Sequence, residues 1–425
     1  MNSELIFVGN ELMLGKIINT NGVYLAGKLT DLGLAPMYQT VVGNNKDKLK
    51  EIFNSALNRS EIIIVSGGMG ISREDITKES ISEILGVDLV ENEISCKKLQ
   101  DCFEVIERKA TDSEIKKTYI PSGSKLLVNN KGIAQGIFLE KDNKKIFLLP
   151  GSPADLQAMF EADVSQILSK YVQKKKEDIY YSQIVKICGK SESDVVAIIS
   201  DLFERNDNIK ISTFTKCYEV HIIITANTDE EKNAKKLVKN IIKDIKTRLG
   251  DSVYTTHDDV TLEHAVVDLL LANDLTVTTV ESCTGGMVAA RLINVPGVSE
   301  VFKMGHITYS NKAKRKLLGV KRSTLDKHGA VSSQVVKEMA KGAATFTRAD
   351  VAVAVSGIAG PDGGTDEKPV GLVYIGISVC GQVTTQEYRF TGDREKIRES
   401  AVTESLILMR KCIMAYYSKV EFNGK

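Results

Sequence analysis

Thr276-Val277-Thr278-Thr279-Val280, followed by Glu281-Ser282-Cys283-Thr284-Gly285-Gly286, is a β-branched run broken by a small polar turn. The run reads as a strand. A helical pattern follows through Ala289-Ala290-Arg291-Leu292, which makes the segment a strand–turn–helix unit of an α/β sheet. In such sheets ligands bind beyond the carboxyl ends of the strands, so the turn is a candidate site. Ser282, Cys283 and Thr284 are three potential nucleophiles in a row and cannot all face one cleft. One exposed side chain, backed by the N–H groups and dipole of the helix start, supplies the nucleophile and anion site that acyl chemistry needs. A Ser or Thr that only caps the helix gives the same pattern, and the turn alone favours neither reading.

Downstream segments add partners. Gly305-His306-Ile307-Thr308-Tyr309-Ser310-Asn311 runs from a strand into a polar helix start and brings Tyr309 and Lys314 to a second loop. A desolvated Lys can serve as general base for a Ser, and a Tyr hydroxyl can relay the proton or hold an oxyanion. Val355-Ser356-Gly357-Ile358-Ala359-Gly360-Pro361-Asp362-Gly363-Gly364 is a Gly-rich loop suited to close backbone approach to a phosphate or sugar. Thr391-Gly392-Asp393-Arg394 opens the last helix and offers a guanidinium. The substrate contacts expected at this end are Glu281, Thr284, Gly285, Gly286, Gly357 and Gly360.

Upstream, Leu262 to Ala272 reads as an apolar helix and a boundary falls near Thr255 to Asp259. Residues 178–254 read as a small α+β module: strand Tyr180 to Ile187, helix Ser191 to Phe203, strands Ile209 to Phe214 and Tyr218 to Thr225, helix Asp229 to Leu249. That order is ferredoxin-like or KH-like. No GxxG loop or aromatic stacking motif marks an RNA reader, so the module is expected to be a spacer or dimerisation unit. The charge run Lys174-Lys175-Lys176-Glu177-Asp178 reads as a linker.

The first 170 residues alternate strands (Leu5 to Val8, Met37 to Val42, Glu61 to Val65) with helices (Thr20 to Asp31, Asp47 to Arg59), as an open α/β sheet does. Two Gly-rich turns follow the first and third strands, Gly9 to Gly15 and Ser66-Gly67-Gly68-Met69-Gly70-Ile71-Ser72. Both bring carboxylates, which suits a phosphate ligand held with Mg²⁺ or a similar cation. Glu11, Glu74 and Asp75 are the candidate metal ligands, with Gly67, Gly68, Gly70 and Ser72 facing the ligand. Glu74 and Asp75 also fit a bland role at the start of a helix through Leu85.

Composition sets the frame. The 425 residues suggest two or three domains, and 56 Lys plus Arg against 55 Asp plus Glu builds in no global pull towards nucleic acid or an anionic membrane. Apolar runs such as Ile62-Ile63-Ile64-Val65 are far too short to span a bilayer, and the start lacks a signal pattern, which predicts a cytoplasmic protein. Seven Cys, at 96, 102, 188, 217, 283, 380 and 412, stand singly and read as reduced thiols. The five His form no metal-ligand spacing.

Taken together, Val280 to Gly286, the Tyr309-to-Lys314 segment, Ser356 to Gly364, Lys368-Pro369-Val370-Gly371 and Gly392-Asp393-Arg394 resemble the C-terminal domain of the CinA family. The resemblance implies a nicotinamide-nucleotide amidase that hydrolyses the carboxamide of nicotinamide mononucleotide without a cofactor. Ser282 would be nucleophile, Lys314 and Tyr309 proton-transfer partners and Arg394 a substrate or oxyanion contact. Cys283 is the rival nucleophile. The two N-terminal turns, Asn129 to Gly136 and Leu149-Pro150-Gly151-Ser152-Pro153 resemble the molybdopterin-binding-like domain that begins CinA proteins. That implies hydrolysis of ADP-ribose to AMP and ribose 5-phosphate with a divalent cation such as Mg²⁺ or Co²⁺. The sequence departs from the family at Asn10 (for Asp), Ile71-Ser72 (for Pro-Thr), Glu74 (for Asp) and Asn130 (for Pro). The expected domains are therefore 1–170, 178–254 and 258–420, in a homodimer acting on small nucleotides. The alternative is a competence- or damage-linked nucleotide-binding regulator with an inactive N-terminal domain; molybdopterin transfer is a third reading resting on fold alone.

Overall fold

The computed structural model describes residues 1–171, 179–205, 207–216 and 218–423. The linker expected at 174–178 and the thiol of Cys217 lie outside the described residues. Two compact units are formed, Met1–Lys175 and Lys176–Lys425.

In the first unit, strands β1 (Ser3–Val8), β2 (Pro36–Val42), β3 (Ile62–Ser66), β4 (Lys125–Leu127), β5 (Gly136–Lys141) and β6 (Lys144–Leu149) make one sheet in the order β2-β1-β3-β6-β5-β4. The first four in that order run parallel; β5 and β4 add an antiparallel edge. Helices α1 (Thr20–Asp31), α2 (Lys46–Arg59), α3 (Thr77–Leu85) and α4 (Pro153–Met159) frame it. Parallel strands covered on both faces need unbroken apolar runs, which Leu5 to Val8 and Ile62 to Val65 provide. Leu5, Phe7, Ile62 and Ile64 share a core with Leu25 and Leu29 of α1 and Leu156 of α4. Ile6, Val8, Ile63 and Val65 share the other with Phe53 of α2 and Ile81 of α3. All the glycine turns singled out in this unit therefore sit at strand ends.

The second unit begins with a module of β7 (Ile179–Cys188), α5 (Glu192–Ile199), β8 (Ile209–Lys216), β9 (Glu219–Thr228), α6 (Glu231–Leu249) and β10 (Val253–Thr255). Its sheet, ordered β8-β9-β7-β10, is antiparallel throughout and has its own core around Val185, Ile222, Val238 and Ile245. Where one helix was expected to reach Phe203, α5 stops at Ile199 and tightens into a 3₁₀ turn, with Ser200 Oγ donating back to Ala197 O at 3.2 Å.

The rest comprises α7 (Leu262–Ala272), β11 (Val277–Glu281), α8 (Met287–Ile293), β12 (Phe302–Ile307), α9 (Asn311–Leu318), α10 (Ser333–Thr347), β13 (Val351–Gly357), β14 (Leu372–Val379), β15 (Gln382–Arg389) and α11 (Arg394–Asn423). The sheet order is β12-β11-β13-β14-β15, parallel on the first side and antiparallel on the second. Helices α7, α8 and α11 pack on one face and α10 on the other. The two modules of this unit are joined through side chains. Cys188 of β7 belongs to the core of the second module, and Lys186 Nζ donates to Asp258 O and Val260 O. Arg291 of α8 donates to Glu263 of α7 at 2.7 Å and lies 4.0 Å from Glu219 of β9, which also accepts from Tyr254.

Candidate functional site

The turn after β11 is held in place before it can react. Ser282 N–H donates to Val355 O at 3.0 Å, fixing the turn to β13. Ser310 caps α9 by accepting from Ala313 N–H, and this helix brings Lys314 to Ser282. Lys314 is 1% exposed, and its Nζ lies 3.0 Å from Ser282 Oγ, 2.7 Å from Thr308 O and 3.4 Å from Tyr309 O. None of these partners is a carboxylate, and burial draws the amine down from its ordinary range to about 8. A neutral amine has two N–H groups and one lone pair. The two carbonyls take the N–H groups, so the lone pair is left for the Ser282 hydroxyl proton.

The surroundings of Cys283 favour a nucleophile less than those of Ser282. Cys283 is 6% exposed, it packs in the hydrophobic core, and burial pushes its thiol up to about 11. A protonated thiol is a poor nucleophile, and Ser282, itself 9% exposed, is the side chain that Lys314 touches.

Two expected substrate contacts turn inward instead. Glu281 accepts from the N–H groups of Gly286, Val288 and Ala289 at 2.9, 3.1 and 2.9 Å, so its carboxylate caps the start of α8. The N–H groups of Gly286, Val288 and Ala289 are thereby occupied, and Glu281 holds the turn to the start of α8. Thr284 is also fully buried. Gly285 and Gly286 have φ of +63° and +98°, which let the chain reverse above the capped helix.

The cationic side of the site comes from α11. Arg394 donates to Gly360 O at 2.6 Å and to the Tyr309 hydroxyl at 3.3 Å, while Tyr309 is 62% exposed. Hydrogen bonds thus tie Lys314 to Ser282 and to the Tyr309 backbone carbonyl, and Arg394 to the Tyr309 hydroxyl and to Gly360 O. Gly357 is a glycine for packing reasons, since a Cβ would meet Val373 at 2.6 Å and Leu372 O at 2.9 Å. Sequence reasoning missed Arg398, which donates to Cys283 O and Thr284 O at 3.0 Å each and clamps the turn. Its position one helical turn beyond Arg394 was the available signal.

In the first unit a cleft of about 380 Å³ opens at the ends of β1 and β3, lined by Glu11, Gly67, Gly68, Gly70, Asp75 and the Pro150–Pro153 turn, among others. A Cβ on Gly67 would lie 2.1 Å from Val8 O, and φ is +102° there. Ser72 does not line the cleft; its N–H and hydroxyl both donate to Asp75 Oδ2, at 2.9 and 2.8 Å. Glu74 is exposed and off the cleft, and α3 starts only at Thr77, so neither acid caps that helix. Among the described residues no three His, Cys, Asp or Glu side chains converge as a metal-ligand group, so Glu11, Glu74 and Asp75 do not form a three-carboxylate shell. Glu11 and Asp75 remain, joined by Asp155, which the sequence reading overlooked. One or two carboxylates together with ligand phosphates suffice for a hard divalent cation. Asn10 does not line the cleft: its Oδ1 accepts from Asn44 N–H at 3.0 Å, a bond that Asp would make equally.

Three family models match consecutive stretches: "Probable molybdopterin binding domain" over residues 4–170, "Damage-inducible protein CinA KH domain" over 182–255, and "CinA C-terminal domain" over 259–413. The middle match selects KH-like over ferredoxin-like. The chain is 44% identical over 414 residues to a competence-damage inducible protein of Clostridium beijerinckii, covering 97% of this chain and 100% of the relative. It is 41% identical to a CinA-like protein of Kosmotoga olearia, covering 97% and 99%. Among solved structures, the competence/damage inducible protein CihA from Agrobacterium tumefaciens matches at 43% identity over 35% of this chain and 91% of its own, with a TM-score of 0.34. Among the described residues no helix is long and apolar enough to cross a membrane.

Proposed function

The chain belongs to the CinA family of competence-damage inducible proteins, and from that premise we propose that its C-terminal module is a nicotinamide-nucleotide amidase using a Ser–Lys pair. The observation that carries this reading is the 3.0 Å approach of a desolvated Lys314 to Ser282. Lys314 takes the Ser282 proton as Oγ bonds to the carboxamide carbon. Lys314 then returns the proton to the leaving nitrogen, and ammonia departs from the acyl-enzyme. Water repeats the step on the ester, with Lys314 again as base, and releases nicotinate mononucleotide. Arg394 and the Tyr309 hydroxyl supply a cationic, hydrogen-bonding rim for the anionic nucleotide or the developing oxyanion.

The N-terminal cleft is proposed to hydrolyse ADP-ribose. Glu11 and Asp75 would hold a divalent cation, which when bound neutralises pyrophosphate charge and activates water. The chain's own contribution is the Gly68-Met69-Gly70 turn that lines the cleft, since Gly67 N–H already donates to Leu149 O.

The deciding experiment incubates the full-length chain with nicotinamide mononucleotide and measures ammonia. Ser282→Ala is expected to lower turnover by about a thousandfold or more, while Cys283→Ala keeps it within about threefold. Activity that survives the first change and vanishes with the second would reverse the assignment.

A further inference from the structure

We propose that Arg398 is a positioning residue of the amidase, which by holding the Cys283 and Thr284 carbonyls fixes the turn that aims Ser282 at Lys314; this rests on reading the C-terminal module as an amidase. Arg398 Nε donates to Cys283 O and Nη2 to Thr284 O, each at 3.0 Å. The two carbonyls lie immediately past the nucleophile, and one edge of a guanidinium meets both with a rigid pair of donors.

The ends of the turn are anchored by other groups. Ser282 N–H donates to Val355 O of β13, and the Glu281 carboxylate holds the N–H groups of Gly286, Val288 and Ala289. Between those anchors, Gly285 N–H bonds back to Ser282 O at 3.2 Å and Met287 N–H to Thr284 O at 3.3 Å, both local to the turn and the helix start. Among the described residues, the backbone of Cys283 and Thr284 is tied to other elements through Arg398, and Cys283 O receives no backbone N–H. Gly285 fits the same arrangement. A Cβ there would lie 3.3 Å from Arg398 Nη2, tighter than ordinary van der Waals contact, so the guanidinium packs directly on the glycine.

Ser282 O accepts the bond from Gly285, so releasing the two peptides beyond Cys283 loosens Ser282 on its carbonyl side. The 3.0 Å approach of Ser282 Oγ to Lys314 Nζ is the geometry proton transfer needs, and a displacement of about 1 Å can cost about a hundredfold in rate. Arg398 lies on α11 one helical turn beyond Arg394, yet the two do different work. Arg394 bonds Gly360 O and the hydroxyl of the exposed Tyr309, whereas both bonds of Arg398 go to main-chain carbonyls of the turn. Loss of Arg398 therefore reaches kcat and spares KM.

The test measures ammonia release from nicotinamide mononucleotide by the full-length wild type, Arg398→Ala and Arg398→Lys. Arg398→Ala is expected to lower kcat by about 10- to 100-fold with KM within about twofold. Guanidinium chloride at about 20 mM, too dilute to unfold the chain, should restore kcat of that variant several-fold by taking the place of the lost side chain, and leave the wild type unchanged. General loosening of the module does not respond in that way. A kcat within about threefold of wild type, a KM raised by more than about twofold, or a kcat loss without rescue overturns the inference and leaves the amidase reading standing. Should Arg398→Ala fail to fold, Arg398→Lys decides, because a single ammonium cannot reproduce the fork on both carbonyls: kcat lower by about threefold or more at unchanged KM supports the inference, and any other pattern overturns it. A wild type that releases no ammonia removes the amidase reading and the inference with it.

Discussion

In the proposed amidase Lys314 is the base, and its burial would set the pH at which it works. Below about 8 the amine is protonated and cannot accept the Ser282 proton; above it the base is ready. Amidase kcat/KM should therefore climb about tenfold per pH unit below that value and level off above it, and a profile flat from pH 6 to 9 would rule Lys314 out as base. Lys314→Met should cost about 10² to 10⁴ in rate yet leave the melting temperature unchanged or higher, because a buried cation with no carboxylate partner is exchanged for an apolar chain of similar length. The sequence reading nominated Ser282, Tyr309, Lys314 and Arg394 together, and the structure brings Lys314 against Ser282 and Arg394 against Tyr309. The orientations of Glu281, Cys283 and Thr284 were not legible there. A strand-end carboxylate reads the same whether it faces a ligand or the helix that follows, and a linear pattern does not show that Ser282, Cys283 and Thr284 are all packed to 9% exposure or less.

Elements position that residue, and two glycines show how tightly. Gly342 of α10 sits against the end of α9, where a Cβ would lie 1.9 Å from Leu318 O. Gly342→Ala must push α9, which carries Lys314, and should cost about 1 to 3 kcal/mol in denaturant unfolding together with a loss of amidase activity. Gly27 in α1 has open space where its Cβ would be and no positive φ. Gly27→Ala should raise stability by about 0.5 to 1 kcal/mol, so equal responses at the two sites would show that close approach is not the cause. Strands were readable from β-branched and apolar runs, and α1 and α7 fall where periodicity placed them. The start of α3 was misjudged because acids near a helix start are as much at home in the turn before it, where Asp75 serves Ser72.

At the scale of the whole molecule, three sequence modules occupy two compact units. The modules were visible as three successive patterns, each with its own apolar core, but nothing in a linear pattern reveals that Cys188 packs in its neighbour's core or that Arg291 lies near Glu219. Residues 179–423 are expected to melt as one cooperative body. Ile222→Ala in the KH-like module removes buried methyl groups worth about 2 to 5 kcal/mol, and the temperature at which amidase activity is lost should fall with it; an unaffected inactivation temperature would mean that the modules unfold separately. The shared seam also constrains inheritance. A recombination event that drops a foreign KH-like module into this chain must bring matching residues at positions 188 and 219, or else leave an apolar face open and Arg291 short of a neighbouring carboxylate, so these two stretches of gene are expected to travel together.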